Sequence, residues 1–332
     1  MDLVLVYVHL GEKLPRYLEK NIFRSKSLFP DLKIVLAGQG QPAQRLAARL
    51  NVEYFELETD LGNPAATPEA IRRSGFDLVF WDGYWQKTFD RLLALEAVHK
   101  SLDAAALLHI ESDVILMPDF PFEFVSSLNS LSWVGFSEED DIASVVFSPN
   151  AESSAWLAEK LIQVGSANPS MNDMKALNAV RQNYPDQVAL LPSLPDRSQE
   201  HAWAFDGLHF GDWLFGWDPG AHWGFKRRRM PTTQYSPEVS RGKFTVTDNG
   251  LVFRSDRGSC RIANLHVHSK EMRFFKADIQ SELRSLVVNV AKKKTFDGFS
   301  PSAALNWTLS RAKRWSRSIW SLESWKQLVS RQ

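Results

Sequence analysis

The stretch Leu107-Leu108-His109-Ile110-Glu111-Ser112-Asp113-Val114-Ile115-Leu116 decides how the chain is read. An apolar run is broken by two acids one residue apart and then resumes. Side chains on a strand alternate between faces, so Glu111 and Asp113 point the same way. Burying carboxylates in an apolar strand is costly unless a cation or a hydrogen-bond donor meets them. The pair is therefore expected at a strand end facing a ligand, and a divalent metal is the first candidate.

Outward from that run, strands and helices alternate. Residues 3–8 and 33–37 are short apolar, β-branched runs separated by a helical pattern over 14–28, which makes a βαβ opening. A helix over 42–50 leads to a third strand at 52–57. Residues 85–102 carry Phe89, Leu92, Leu93, Leu95, Ala97 and Val98 among charged residues, an amphipathic helix that delivers the chain to the acidic strand. Strands follow at 133–136 and 142–147, and helices at 153–164 and 172–183. Asp248-Asn249-Gly250 marks a hairpin within 244–253. The expectation is an α/β fold with a mixed, mostly parallel central sheet flanked by helices.

With 332 residues and 44% apolar content the chain can bury a full core. Lys plus Arg and Asp plus Glu balance at 39 each, so no global charge recruits nucleic acid, and electrostatic function has to be local. The one cysteine, Cys260, excludes an internal disulfide and a Cys-rich zinc site and fits a reducing compartment. The N-terminal run lacks a basic leader region and a small-residue cleavage site and is too short to span a bilayer. A cytoplasmic location is expected.

The end of the chain differs in composition. From Lys292 to Gln332 nine Lys or Arg face two acids, with Trp307, Trp315, Trp320 and Trp325 between them. This basic, Trp-bearing stretch fits a helix lying on an anionic membrane surface, peripheral at its inner face, or a helix packed on its own domain or a partner. The domain division read from composition is 1–285 and a tail of 286–332.

Four features in order carry a resemblance: the N-terminal strand-helix-strand, the helix with the Arg91-Leu92 pair, Glu111-Ser112-Asp113, and His266-Val267-His268-Ser269-Lys270. In these the chain resembles the GT-A-type glycosyltransferases, in their bacterial-like form, over roughly residues 1 to 275. Glu111-Ser112-Asp113 stands where that family has its DxD motif, with Glu in place of the usual first Asp. The resemblance implies a Rossmann-like fold and transfer of a sugar from a nucleotide-diphospho-sugar, a UDP- or GDP-sugar, to a saccharide or lipid-linked acceptor. It implies an Mn²⁺ or Mg²⁺ held by Asp113, Glu111 and His268. His9, Lys87, Arg91, Glu111 and Lys270 would then bind the donor.

The chemistry asks for such a set, because a departing nucleoside diphosphate develops negative charge that must be neutralised. His266 and His268 alternate on an extended segment and share a face; His266 is read as the structural one. Lys87 and Arg91, four apart on one helical face, would repel unless an anion sat between them. An inverting transfer also needs a carboxylate to take the acceptor's proton. Asp140, Asp141, Asp173 and Asp206 are the candidates. Asp206, in the aromatic and glycine-rich Phe205-Asp206-Gly207, is the first choice; Asp173 is also a helix-cap candidate. The Trp and Phe residues over 203–225 suit a pocket wall for sugar faces or a core, and Lys226-Arg227-Arg228-Arg229 suits phosphate contact or a solvated face. Two alternatives stay open: a sugar nucleotidyltransferase, and a non-catalytic carbohydrate-binding protein on a degenerate transferase fold.

Overall fold

The computed structural model describes residues 2–58, 84–102, 106–168, 171–195, 202–215, 237–268, 270–276 and 278–293. In chain order these form β1 (Leu3–His9), α1 (Arg16–Leu28), β2 (Lys33–Gly38), α2 (Gly40–Leu50), β3 (Glu53–Glu56), α3 (Tyr84–Leu102), β4 (Ala106–Ile110), β5 (Val114–Leu116), α4 (Phe122–Ser126), β6 (Leu131–Gly135), β7 (Asp141–Ser148), α5 (Ala151–Ala167), α6 (Asp173–Asn183), β8 (Val188–Leu191), β9 (Trp203–Ala204), α7 (His209–Phe215), α8 (Pro237–Arg241), β10 (Lys243–Val246), β11 (Leu251–Ser255), β12 (Gly258–Ile262), β13 (Asn264–His266) and α9 (Gln280–Lys293). The chain divides after Val287 into two units. Apart from the helical residues 288–293, the second lies outside the described residues, as do residues 294–332 of the expected basic tail and the run 226–229.

Seven strands make the main sheet, in the order β3-β2-β1-β4-β7-β6-β8. Every pairing is parallel except the two made by β7, so the sheet is mixed and mostly parallel. Its strands read as near-continuous apolar runs because both faces are covered. On one face Val4, Val6, Val8, Leu107 and Trp133 pack against Phe89, Leu92 and Leu95 of α3, Leu157 and Leu161 of α5, and Leu177 of α6. On the other, Leu3, Leu5, Tyr7 and Leu108 meet Leu18 and Ile22 of α1, Leu46 of α2 and Val114 and Leu116 of β5. The period-2 alternation of β1 thus separates the two layers.

Local chemistry sets several boundaries. Asn51, at φ 51°, ends α2 in the left-handed conformation, its N–H returning to Ala47 O and Ala48 O. Asn150 and Asn172 cap α5 and α6 by accepting from Ser153 N and Lys175 N. The hairpin expected at Asp248-Asn249-Gly250 joins β10 to β11, which pair antiparallel.

The opening stretch is two strands rather than one. β4 belongs to the main sheet and stops at Ile110, while β5 pairs antiparallel with β13 in a separate two-stranded sheet. Residues 111–113 form the turn between them, closed by Val114 N donating to Glu111 O at 3.0 Å. The two acids therefore sit in a turn, a position that hydrophobic pattern alone does not separate from a continuous strand.

Candidate functional site

The strand order reverses at β1: β2 and β3 lie to one side and β4 to the other. Crevices that bind ligands in open α/β sheets lie beyond the carboxyl ends of the strands at such a switch point. β1 ends there in His9, and β4 runs directly into Glu111. The long chain return places β13 beside β5, with His266 opposite Val114 and Val267 N donating to Asp113 O at 2.8 Å.

The result is a compact cluster. One ligand atom each of Glu111, Asp113 and His266 lie within 4.8 Å of one another. His266 Nε2 is 3.4 Å from Asp113 Oδ1 and 3.5 Å from Glu111 Oε2. Its other nitrogen, Nδ1, is 2.6 Å from the Gly207 carbonyl. That contact assigns the Nδ1 proton and turns Nε2 toward the acids, the arrangement that orients metal-binding imidazoles. Two ligands about 2.1 Å from one ion stand about 3 Å apart at right angles. The spacing here is slightly wider, and two carboxylate oxygens with one imidazole suit Mn²⁺ or a similar divalent ion. The donor set fits a metal.

Charges around the cluster are arranged to hold it. Arg91, on α3, donates to Glu111 Oε1 at 2.5 Å and reaches Asp173 Oδ2 at 3.8 Å. Lys270, in the left-handed region at φ 52°, brings Nζ within 3.8 Å of Asp113 Oδ2 and 5.7 Å of the Tyr17 ring centroid. Such a backbone conformation is uncommon for lysine and collects at functional sites. Burial alone would raise the Asp113 carboxyl, but His266, Lys270 and His268 outweigh it and hold it well below the usual range. Burial alone would lower His266, but the Asp113 and Glu111 carboxylates outweigh that and raise it well above an ordinary histidine. Burial chiefly, and then Glu111, Asp113 and Asp173, push the Tyr84 phenol up; no sequence signal pointed to this tyrosine.

The structure brings His266 into the acid cluster, while the ring of His268 meets His266 edge-on at 5.0 Å. Both belong to the expected His element, but the chain leaves the strand after His266 and turns, Lys270 N bonding to Val267 O. Burial first, then His266, draws His268 down to about 3. Asp173 is buried at the start of α6, and since Asn172 caps that helix, its own carboxylate joins Arg91 instead. Burial pushes Asp173 up to about 6 against the pull of Arg91.

Asp206 holds three backbone amides. Its Oδ1 accepts from Phe210 N, and its Oδ2 from Gly211 N and His266 N, all at 2.8 to 2.9 Å. It ties the first turn of α7 to the strand bearing His266. A side chain at Gly211 would put its Cβ 2.0 Å from His266 O, so α7 and β13 approach closely only because that position is glycine.

The remaining expected residues lie nearby or elsewhere. His9 Nε2 bonds Lys13 O at 3.1 Å, and burial first draws His9 down to about 4. The Lys87 ammonium lies toward the Gly11 turn, 3.5 Å from where a Gly11 Cβ would stand, and its charge helps to lower His9. Asp141 is fully buried and paired with Arg181 through both carboxylate oxygens, with Trp133 Nε1 as a further donor.

These groups give stability a pH dependence. Burial holds His9, His109, His209 and His268 at about 4, 3, 4 and 3. As pH falls below about 6.5, the unfolded chain takes up protons that these folded histidines refuse. Asp173 and Asp206, raised to about 6 mainly by burial, act oppositely between about 4 and 6, where the fold keeps protons the unfolded chain has released. Burial also raises Asp119 and Asp140, but the four histidines are lowered across the whole interval, so stability is expected to fall from pH 7 to pH 5. Above about 6.5 the unfolded chain has released the proton that the folded His266 keeps until about 10, so its contribution declines progressively as pH rises. Urea midpoints measured from pH 5 to 9 should peak near neutrality, and a maximum at pH 5 would contradict this assignment.

No family model matches the sequence, and no curated protein matches it. Among solved structures, the galactosyltransferase LgtC in complex with donor and acceptor sugar analogs is similar over 90% of this chain and 98% of its own, at 12% identity and TM-score 0.41. PaToxG glycosyltransferase is similar over 55% of this chain and 69% of its own, at 13% identity and TM-score 0.37. A cytidylyltransferase from Leptospira borgpetersenii is similar over 58% of this chain and 76% of its own, at 12% identity and TM-score 0.35.

Proposed function

We propose that this chain transfers a sugar from a nucleotide-diphospho-sugar to a saccharide acceptor with the help of a divalent metal. The observation that carries the reading is the convergence of Glu111, Asp113 and His266 from distant parts of the chain, at the switch point of a mostly parallel sheet. The resemblance carried by Glu111-Ser112-Asp113 and the His266–Lys270 element points the same way, although it implied His268 rather than His266 as the ligand. Asp113 and His266 hold the ion, with Glu111 shared between it and Arg91, and His268 stands behind His266. When bound, the metal supplies positive charge to the leaving diphosphate.

The chain's own residues do the rest. Lys270 and Arg91 present cations beside the acids, where phosphate oxygens and sugar hydroxyls bind. His9 and Lys87 line the end of β1, where the nucleoside half of a UDP- or GDP-sugar lies. Asp173, raised toward neutrality, is the acid of this cluster suited to a sugar hydroxyl or to an acceptor proton. Asp206 serves by fixing His266 and α7. The acceptor is a saccharide, free or lipid-linked, and the basic tail meets an anionic membrane from the cytoplasmic side. No helix among the described residues is long and apolar enough to cross a membrane.

A thermal-shift panel of nucleotide-sugars with and without Mn²⁺ tests the proposal, because a ligand that binds the fold raises its melting point by mass action. The expected result is a rise with one UDP- or GDP-sugar that depends on Mn²⁺. A response to a nucleoside triphosphate and sugar phosphate with pyrophosphate release would favour the nucleotidyltransferase instead. No response to any nucleotide-sugar would sink the transferase reading.

A further inference from the structure

The segment from Ser112 through β5, which includes Asp113, is gripped from both edges. On one edge, Val267 N donates to Asp113 O at 2.8 Å and Met117 N to Ala263 O at 2.9 Å. The other edge exposes the carbonyls of Ser112, Val114 and Leu116, since alternate residues of a strand turn their backbone groups to opposite sides. No strand pairs there among the described residues. Side chains of α1 take its place. Asn21 Nδ2 donates to Ser112 O at 3.1 Å and to Val114 O at 2.6 Å, so one amide group holds the backbone on both sides of Asp113. Arg24 donates to Leu116 O at 2.5 Å.

The spacing explains the fit. Tyr17, Asn21 and Arg24 stand at i, i+4 and i+7, one stripe of a helix. Their positions advance about 5 to 6 Å at a time, close to the roughly 6.6 Å between alternate strand residues. Tyr17 extends the stripe to Lys270, whose ammonium lies over its ring.

Packing alone does not account for this grip. Asn21 and Arg24 are fully buried, yet Asn21 Oδ1 and Arg24 Nε and Nη2 have no hydrogen-bond partner. Arg24 forms no ion pair with a described acid. Buried unsatisfied polar atoms and an uncompensated charge oppose folding and offset part of what the three carbonyl bonds contribute. What the polar pair secures is the position of three carbonyls beside Asp113.

We infer that Asn21 and Arg24 are positioning residues for the metal centre, setting the Asp113 backbone against His266 without touching ion or substrate. This rests on the metal reading above for its functional consequence, but the clamp itself can be measured without metal. Groups that orient metal ligands from behind are worth roughly tenfold or more in affinity.

The test measures Mn²⁺ binding by electron paramagnetic resonance in the full chain, together with metal-free amide hydrogen exchange of peptides spanning 111–117. Asn21→Leu is expected to weaken Mn²⁺ roughly tenfold and to speed exchange at 111–117 more than in the other strands, with a lower metal-free melting temperature because Ser112 O and Val114 O lose their donor. Arg24→Met should do the same more weakly, and Arg24→Lys, which keeps a donor for Leu116 O, should recover it; this pair decides the matter if Asn21→Leu fails to fold. Parental Mn²⁺ affinity in Asn21→Leu, or in Arg24→Met, overturns the inference whatever the exchange shows. If the unsubstituted chain takes up no Mn²⁺, the metal reading has failed separately. The clamp then stands on faster exchange at 111–117 and falls on unchanged exchange.

Discussion

Asp113→Asn is expected to lower Mn²⁺-dependent glycosyl transfer by about a hundredfold to a thousandfold, the range seen when one charge-stabilising group is removed from a transition state. Asn keeps the shape of the side chain but removes the charge that faces His266 at 3.4 Å and Lys270 at 3.8 Å. Two consequences separate this from unfolding. Mn²⁺ binding weakens by a comparable factor, and His266 loses the carboxylate that keeps it protonated, so its titration moves down. Metal binding to the unsubstituted chain must displace that proton and is therefore tighter at higher pH. Turnover and Mn²⁺ affinity within twofold of the parent would remove Asp113 from the site.

Asp206→Ala is expected to destabilise the fold by at least about 3 kcal/mol, because it strips the acceptor from three buried amides, each worth about 1 kcal/mol or more when left unpaired. The effect reaches further than a cap. Asp206 backbone groups also bond Asn264 on β13, and its carbonyl accepts from Ser144 on β7. This residue joins the main sheet, α7 and the strand of His266 at one point. Denaturant unfolding measures the loss directly. A variant with parental stability and lost turnover would instead make Asp206 a group that touches substrate, as its aromatic and glycine-rich surroundings suggested from sequence.

Much of the architecture was legible because it is local. The alternation in residues 3–8 and the 3.6-residue pattern of 85–102 each bury one side, and those periods identify the elements and the layers they separate. Capping asparagines and the Asp248-Asn249-Gly250 turn mark boundaries through their own backbone preferences. The acid pair drew attention through burial cost, and it does lie among cations and a histidine. Asn21 and Arg24 gave no such signal: polar residues inside an amphipathic helix read as its solvent face until the strand they grip is placed beside them.

The amino-acid sequence by itself determined the α/β alternation, the buried faces of the strands, and the presence of acids and a His/Lys element with ligand chemistry. Tertiary structure alone decided that Glu111 and Asp113 sit in a turn between two sheets, that Asp141 spends its charge on Arg181, and that His266 faces the acids. The reason lies in strand register. His266 and His268 have the same parity and composition, and which one meets Asp113 depends on how β13 aligns with a strand some 150 residues earlier and where it turns away. Local periodicity reports which face a residue takes; only pairing across the fold sets its neighbour.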